Sequence, residues 1–170
     1  MCGGTFYYPK RGDFMKEKFM LAALKEANKA RTKDEVPVGC VIVKDNKIIA
    51  RGHNKKEMNK NALLHAEIVT LQKAYKKLEA WRLESCEMYI TLEPCMMCTG
   101  AIVHSRIKKI YFGAKDPKAG TVVSIANLLD HEKLNHKVEY EWGILEDDCS
   151  KILKDYFKQK RNKKNTEIKE

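Results

Sequence analysis

The residues His65-Ala66-Glu67 and Pro94-Cys95-Met96-Met97-Cys98 open and close the stretch around which the chain is organised. Each group stands at the predicted start of a helix, and a predicted strand lies between the two helices. Because two helices that flank one strand can begin at the same edge of a sheet, we expect the two groups to meet there.

Upstream of this stretch, apolar periodicity predicts one helix followed by a β-hairpin. Apolar side chains recur at helical spacing from residue 14 to about residue 32, and Val36-Pro37 ends that helix. Two short β-branched runs, 38–43 and 47–52, predict a buried strand and its partner. Asp45-Asn46 lies between them, and both residue types tolerate the positive φ that a two-residue turn requires.

The remainder of the chain alternates helices and strands. We expect helices over 65–78 and 95–105, strands over 86–92, 107–113 and 138–141, a short helix over 125–129, and a last helix from about 145 to 160. The apolar face of this last helix comprises Leu145, Cys149, Ile152, Leu153, Tyr156 and Phe157. The strand before it is expected at the sheet edge. This alternation predicts a layered α/β domain with a mixed sheet.

Length and composition are those of one folded domain without a membrane span. The chain has 170 residues, of which 44% are hydrophobic, and contains no run of about eighteen apolar residues. Its first residues lack the apolar core of a signal peptide, so we expect a cytoplasmic protein with reduced cysteines. Cys40, Cys86 and Cys149 lie in apolar patterns and are expected in the core.

The chain divides into three predicted segments, and its charge is uneven. Residues 1–14 are expected to form a disordered extension, residues 15–160 the folded domain, and residues 161–170 a basic C-terminal tail. The net charge is +10, and basic residues cluster over 158–164 and again over 55–60. A solvated surface with a basic bias would have the same composition, but the clustering favours nucleic acid as a partner.

His65, Cys95 and Cys98 have the identity and spacing of zinc ligands. The two cysteines stand three residues apart in the first turn of a predicted helix, where the helix dipole and free N–H groups stabilise thiolates. A structural zinc usually takes four protein ligands, whereas three leave one position for water. Glu67, in the first turn of the neighbouring predicted helix, could then move protons between that water and a substrate.

Each of these residues alone has a simpler interpretation. A single histidine is more often a surface or core residue, a single Cys-x-x-Cys motif occurs in redox proteins, and Glu67 could merely interact with the helix dipole. The His-Glu-x-x-His motif of metalloproteases does not occur at His65, because Ala66 stands where the motif has Glu and Val69 stands where it has the second His. Together, however, the residues match the pattern His-x-Glu…Pro-Cys-x-x-Cys of the zinc nucleobase deaminases.

From about Lys16 to Lys160, the chain resembles the bacterial tRNA adenosine deaminases of the cytidine deaminase-like superfamily. The residues before His65, Asn61-Ala62-Leu63-Leu64, depart from the Pro-Thr-Ala-like run of many relatives. The motifs that carry the resemblance are Glu35-Val36-Pro37-Val38-Gly39, Gly52-His53-Asn54, His65-Ala66-Glu67, Trp81-Arg82-Leu83, the run from Thr91 to Cys98, His104-Ser105-Arg106-Ile107, the run from Phe112 to Lys118, Asn135-His136 and the run from Tyr156 to Arg161.

This resemblance implies an α/β fold of three layers, α/β/α, which is the cytidine deaminase-like fold with a five-stranded mixed sheet. It implies a zinc-dependent hydrolase, in a domain spanning 15–160, that converts adenosine to inosine at the wobble position of tRNA. His65, Cys95 and Cys98 would bind one Zn²⁺ per subunit, and Glu67 would be the catalytic proton shuttle. Members of the family are commonly homodimers, and the substrate is the anticodon stem-loop.

The resemblance also implies residues that contact the substrate. Asn54 would hydrogen-bond the base edge, and Asp116 would lie beside the flipped nucleotide. The full set expected at the base comprises Asn54, Ala66, Glu93, Pro94 and Asp116. Further RNA contacts are expected at Lys118, Phe157, Lys158, Lys160 and Arg161, although a solvated tail would have the same composition.

Two other functions fit parts of the sequence. A deaminase of a free base or nucleoside, such as cytosine or guanine, would share the zinc ligands but need no basic surface. A non-catalytic RNA-binding protein with a structural zinc would need no acid at Glu67. The net charge of +10 and the presence of Glu67 favour the RNA deaminase over both.

Overall fold

The central sheet contains five strands, as the resemblance implies. The structure, a computed structural model, describes residues 11–167. The strands are β1 (Gly39–Lys44), β2 (Lys47–His53), β3 (Cys86–Leu92), β4 (Lys109–Ala114) and β5 (Glu139–Trp142). Their order across the sheet is β2-β1-β3-β4-β5, with β1 antiparallel to both of its neighbours and β3, β4 and β5 parallel. The sheet is therefore mixed, and β5 forms an edge as predicted.

Four helices cover the two faces of the sheet. They are α1 (Arg11–Arg31), α2 (Ala66–Leu78), α3 (Met96–His104) and α4 (Glu146–Glu167). Alternate residues of the buried strand β1 face opposite layers, with Ile42 in the core beneath α2 and α3 and Val41 in the core beneath α1 and α4. This alternation follows from the two-residue period of a strand, and it confirms the three-layer α/β/α prediction.

The β1–β2 hairpin has the turn that its sequence predicts. Asp45 and Asn46 have φ values of 48° and 57°, so both adopt the left-handed conformation that a two-residue hairpin turn requires. At the far end of β2, Gly52 allows α2 to approach, because a Cβ there would lie 2.4 Å from the hydroxyl of Thr70 and 3.0 Å from the carbonyl of Ala66. The start of α2 is thereby held against the end of β2.

Several predicted boundaries differ from the structure. Helix α1 begins at Arg11, so the predicted disordered extension is wrong for residues 11–14, and its residues 1–10 lie outside the described residues. Helix α4 continues past residue 160 to Glu167, through most of the predicted tail. The short helix predicted over 125–129 is instead a 3₁₀ turn at Leu128–Asp130.

One residue of the predicted apolar face of α4 is not in the core. Cys149, Ile152 and Tyr156 are buried, but Phe157 is 44% exposed. A helix of 3.6 residues per turn rotates Phe157 by about 100° from Tyr156, which is enough to leave the sheet.

The cysteines behave as the composition predicts within the described part of the chain. Cys40, Cys86 and Cys149 are buried free thiols in the core. Cys2 lies outside the described residues. Among the described helices, none is both long and apolar enough to cross a lipid bilayer.

Candidate active site

The first residues of α2 and α3 lie side by side at one edge of the sheet. His65 is the N-cap of α2 and Cys95 is the N-cap of α3, and both have extended backbone conformations. Cys98 follows in the first turn of α3, where it is fully buried. Strand β3 runs between the two helices, so the expectation that both groups meet is confirmed.

The side chains of His65, Cys95 and Cys98 form a compact group of metal-ligand atoms. Their ligand atoms all lie within 4.8 Å of one another, and each sulfur is 3.6 Å from Nδ1 of His65. Zinc–sulfur bonds of about 2.3 Å and zinc–nitrogen bonds of about 2.0 Å at tetrahedral angles separate sulfur from nitrogen by about 3.5 Å. The three side chains therefore already have the spacing that a tetrahedral ion requires.

The two thiols titrate very differently. Hydrogen bonding with Cys98, and then with His65, lowers the pKa of Cys95 to about 4. Hydrogen bonding with Cys95, followed by burial, raises the pKa of Cys98 far above its usual range. The hydrogen bond with Cys95 also raises the pKa of His65. A cation held by both sulfurs would displace thiol protons, so metal binding and proton release are coupled at this site.

Glu67 lies in the same site and is almost completely buried. Its side chain is within hydrogen-bonding reach of Cys98, and only 4% of the residue is exposed. Burial raises the pKa of Glu67 above its ordinary value, because removal from water disfavours the charged carboxylate. A carboxyl group with a raised pKa beside a candidate metal site is suited both to accept and to donate a proton.

Glu93 joins β3 to the loop that follows β4. Oε1 accepts hydrogen bonds from the backbone N–H groups of Val122, Val123 and Ser124, at 3.1, 2.8 and 3.0 Å. Oε2 accepts hydrogen bonds from the Asp116 N–H at 3.0 Å and from the Ser124 hydroxyl. Burial would raise the pKa of Glu93, but the hydrogen bonds from Ser124, Val123 and Asp116 lower it overall.

The loop held by Glu93 packs directly beside the candidate metal ligand Cys95. Gly120 pairs with Cys95 in an isolated β-bridge, and the N–H of Thr121 donates to the carbonyl of Pro94 at 3.0 Å. Asp116 lies at the start of this loop, half-buried, and its Oδ1 accepts from the N–H groups of Lys118 and Ala119. The structure therefore brings Asp116 close to Cys95 through the loop and Glu93.

Asn54 follows β2 and has an unusual hydrogen-bonding environment. Its backbone N–H donates to the carbonyl of Val38, and its Nδ2 donates to Oε2 of Glu35 at 3.3 Å. Among the described side chains, Asn54 Oδ1 is the buried polar atom that lacks a hydrogen-bond partner. A buried acceptor without a protein partner is a feature of groups that face a ligand or an ordered water. Ala66, the first residue of α2, is fully buried nearby.

The residues expected to contact RNA lie on α4 and, for Lys118, on the loop after β4. Lys118, Phe157 and Arg161 line one groove with Asp116, in a cavity of about 610 Å³ between α4 and the loop after β4. Lys160 instead lies against the end of α1, where its Nζ is 2.5 Å from Oδ2 of Asp34. Lys158 is exposed and lines neither cavity.

Sequence patterns did not reveal several residues that shape the site. Glu35 is fully buried beside Asn54, and Gly120 leaves the space that the Glu93 carboxylate occupies. His53, next to Asn54, has its Nδ1 3.0 Å from Oε2 of Glu26. Polar side chains that pair across a long stretch of sequence leave no periodic pattern, so periodicity could not identify these residues. The sequence pointed to Glu35 and His53 only because both lie in motifs that the chain shares with the tRNA adenosine deaminases.

Comparisons with known proteins agree with this geometry. A family model described as MafB19-like deaminase matches residues 14–161. The tRNA-specific adenosine deaminase of Bacillus subtilis (strain 168) is 47% identical over 148 residues, which cover 87% of this chain and 92% of that protein. A guanine deaminase structure from Bacillus subtilis is 38% identical with a TM-score of 0.56, covering 58% of this chain and 64% of that chain.

A further solved structure extends the similarity over most of the fold. It comes from a study of A-to-I editing by tRNA:A34 deaminases at the wobble position of transfer RNA. It covers 80% of this chain and 99% of its own, with 39% identity and a TM-score of 0.78. This similarity confirms the cytidine deaminase-like fold. The chain therefore belongs to the deaminase family that the MafB19-like model describes and that includes the tRNA-specific adenosine deaminases.

Proposed function

We propose that this protein hydrolyses adenosine to inosine at the wobble position of tRNA. The observation that carries the proposal is the site itself. Two sulfurs stand 3.6 Å from one imidazole nitrogen, and a buried carboxyl group lies beside them. This chain is 47% identical over most of its length to a protein named tRNA-specific adenosine deaminase, and that similarity supports the choice of substrate.

We infer that His65, Cys95 and Cys98 hold one zinc ion per subunit. Thiolate sulfur and imidazole nitrogen are ligands that zinc prefers, and their separation fits tetrahedral coordination. Three protein ligands would leave one coordination position for water. When bound, zinc would lower the pKa of that water to about 7.

Glu67 would move the protons of the reaction. It accepts a proton from the attacking water and delivers it to N1 of adenine as oxygen adds to C6. It then takes the second proton from the new C6 hydroxyl and passes it to the amino group, so that the C6–N bond breaks and ammonia leaves as the C6 carbonyl forms. The products are inosine and ammonia, so the protons of the water are fully accounted for. The raised pKa of Glu67, caused by its burial, suits a group that must be protonated and deprotonated in each turnover.

The substrate residues keep the roles that the resemblance implies. Asn54 would hydrogen-bond the extruded base with its free Oδ1, and the buried Ala66 and Pro94 would close the pocket beside the metal ligands. Asp116 would lie beside the flipped nucleotide. Because the Glu93 carboxylate already accepts five hydrogen bonds, we propose that its backbone, and not its side chain, faces the substrate.

The RNA would extend from the pocket along the groove that Lys118, Phe157 and Arg161 line with Asp116. Phe157 offers an exposed ring for stacking, and the cations offer contacts to phosphates. Lys158 and Lys160 would add phosphate contacts farther along α4. We further propose a homodimer that acts in the cytoplasm, where its tRNA substrate would be found.

An inosine assay tests the proposed function against its alternatives. The zinc-loaded protein is incubated with an RNA anticodon stem-loop that carries adenosine at the wobble position, and separately with free adenosine, guanine and cytosine. Inosine in the RNA and no turnover of the free compounds is the expected result. Turnover of guanine alone would favour the function of the 38% identical guanine deaminase. RNA binding without any turnover would favour a non-catalytic role.

A further inference from the structure

Glu35 is a fully buried carboxylate that takes no part in the chemistry described above. It lies just after α1, and three N–H groups point at its two oxygens. Nδ2 of Asn54 and the backbone N–H of Glu57 donate to Oε2 at 3.3 and 3.1 Å, and the N–H of Met58 donates to Oε1 at 2.7 Å. Burial of a carboxylate is costly, and these three donors offset that cost.

The contact with Glu35 determines how the Asn54 amide is oriented. A carboxylate that faces three N–H donors acts as an acceptor, so the NH₂ end of Asn54 must face it and the oxygen end must face away. Asn54 is only 6% exposed, and its Oδ1 has no hydrogen-bond partner among the described residues. The protein thus retains an unpaired acceptor that a bound molecule could satisfy.

The backbone next to Asn54 is hydrogen-bonded to the backbone next to the candidate metal ligand His65. The backbone N–H of Lys55, the residue after Asn54, donates to the carbonyl of Leu64 at 3.0 Å, and Leu64 directly precedes His65. Hydrogen bonds from backbone N–H groups therefore hold the loop from Asn54 to Asn61 in two places. Lys55 binds Leu64, just before the N-cap of α2, and the N–H groups of Glu57 and Met58 bind the Glu35 carboxylate. A shift of Glu35 would move both the amide and the loop that borders the site.

We propose that Glu35 is a positioning residue for the deamination site, because it fixes the orientation of the Asn54 amide toward the substrate. This proposal rests on the proposed function for the identity of the substrate. The geometry of Glu35 and Asn54 is independent of that function. Glu35 itself touches no reacting atom and acts through Asn54.

The test combines a double-mutant cycle with a direct measurement of the amide. Glu35→Ala, Asn54→Ala and the double variant are assayed with the anticodon stem-loop after zinc content and circular dichroism have confirmed folding. Glu35→Ala should lower kcat/KM by about ten- to a hundredfold, as expected for a misplaced binding group. In the Asn54→Ala background the same substitution should cost less than about threefold, because its target is absent. Equal losses in both backgrounds would overturn the proposal.

Hydrogen exchange of the Asn54 side-chain NH₂ gives a second measurement that needs no substrate. The resonance pair is assigned in asparagine-labelled protein by its absence from Asn54→Ala. It should exchange slowly in the wild type and at least about tenfold faster without Glu35. If Glu35→Ala does not fold, Glu35→Gln replaces it, since glutamine offers one acceptor to three donors. Unchanged protection would refute the positioning role. A wild type that deaminates no RNA would refute the proposed function while leaving this measurement decisive.

Discussion

Replacement of Glu93 by glutamine should destabilise the protein and displace the loop beside the metal ligands. The Glu93 carboxylate accepts five hydrogen bonds, three at Oε1 and two at Oε2. In Glu93→Gln, the amide oxygen can keep the N–H groups of Val122, Val123 and Ser124. The new NH₂ group then faces the Asp116 N–H, which places two donors against each other, whereas the Ser124 hydroxyl can turn to accept.

The magnitude follows from these contacts. One unsatisfied buried donor costs about 1–3 kcal/mol, and the retained bonds lose the extra strength that an ionised acceptor gives them. We therefore expect the free energy of unfolding to fall by about 2–4 kcal/mol. For a chain of this length, each kcal/mol lowers the melting temperature by about 2–4 °C, so the expected decrease is about 4–16 °C.

Thermal unfolding of the zinc-loaded protein, followed by circular dichroism, measures this effect. Glu84→Gln is the matched control, because Glu84 is exposed and pairs only with Arg82 within the described residues, so its loss should change stability by less than about 0.5 kcal/mol. The variant should also deaminate the anticodon stem-loop more slowly, since Asp116 is displaced. A change of roughly 0.5 kcal/mol, the limit set for the control, corresponds to at most about 2 °C. A Glu93→Gln melting temperature within about 2 °C of the wild-type value would therefore contradict the assigned role of Glu93.

Four further perturbations test other parts of the site. Glu67→Ala should retain zinc and fold but lose deamination by at least about 10²–10⁴-fold, and comparable turnover in the variant would exclude Glu67 as the proton shuttle. Cys95→Ala should lose its zinc in metal analysis, whereas full retention would rule out the ligand set. Gly120→Ala should mimic Glu93→Gln in thermal unfolding, because its Cβ would lie 2.3 Å from the Glu93 carboxylate; wild-type stability would show that the loop tolerates the shift. Burial lowers the pKa of His53, so this side chain binds a proton more readily in the unfolded protein than in the folded protein. The stability of the wild type should therefore fall as pH decreases below about 6.5, and His53→Gln should flatten that pH dependence in melting curves. Parallel pH dependences of the two proteins would disprove this contribution of His53.

The positions of the candidate metal ligands were predictable because local patterns encode them. Pro94 and the apolar residues after it place Cys95 at a helix start, and the three-residue spacing puts Cys98 on the same side of the first turn. His65 was predicted to open the previous helix, and it is the N-cap there. Helix starts depend on residues within a few positions of one another, so the sequence contains the necessary information.

The partners of the buried carboxylates were not predictable in the same way. Glu93 was expected to contact substrate, yet its side chain binds a loop that begins 23 residues later. Glu35 had no predicted role, although it accepts hydrogen bonds from residues 19 to 23 positions away. Which donors reach a carboxylate depends on how separate elements pack, and no local period records it.

The sequence by itself therefore determined the order of helices and strands, the three candidate ligands and the acid beside them, because each depends on short-range periodicity and residue chemistry. Only the tertiary structure decided that both sulfurs stand 3.6 Å from His65, that Asn54 keeps a free acceptor, and that Phe157 lies outside the core. These features arise when distant elements pack against one sheet, and burial then fixes which polar atoms are paired and which remain open to a substrate.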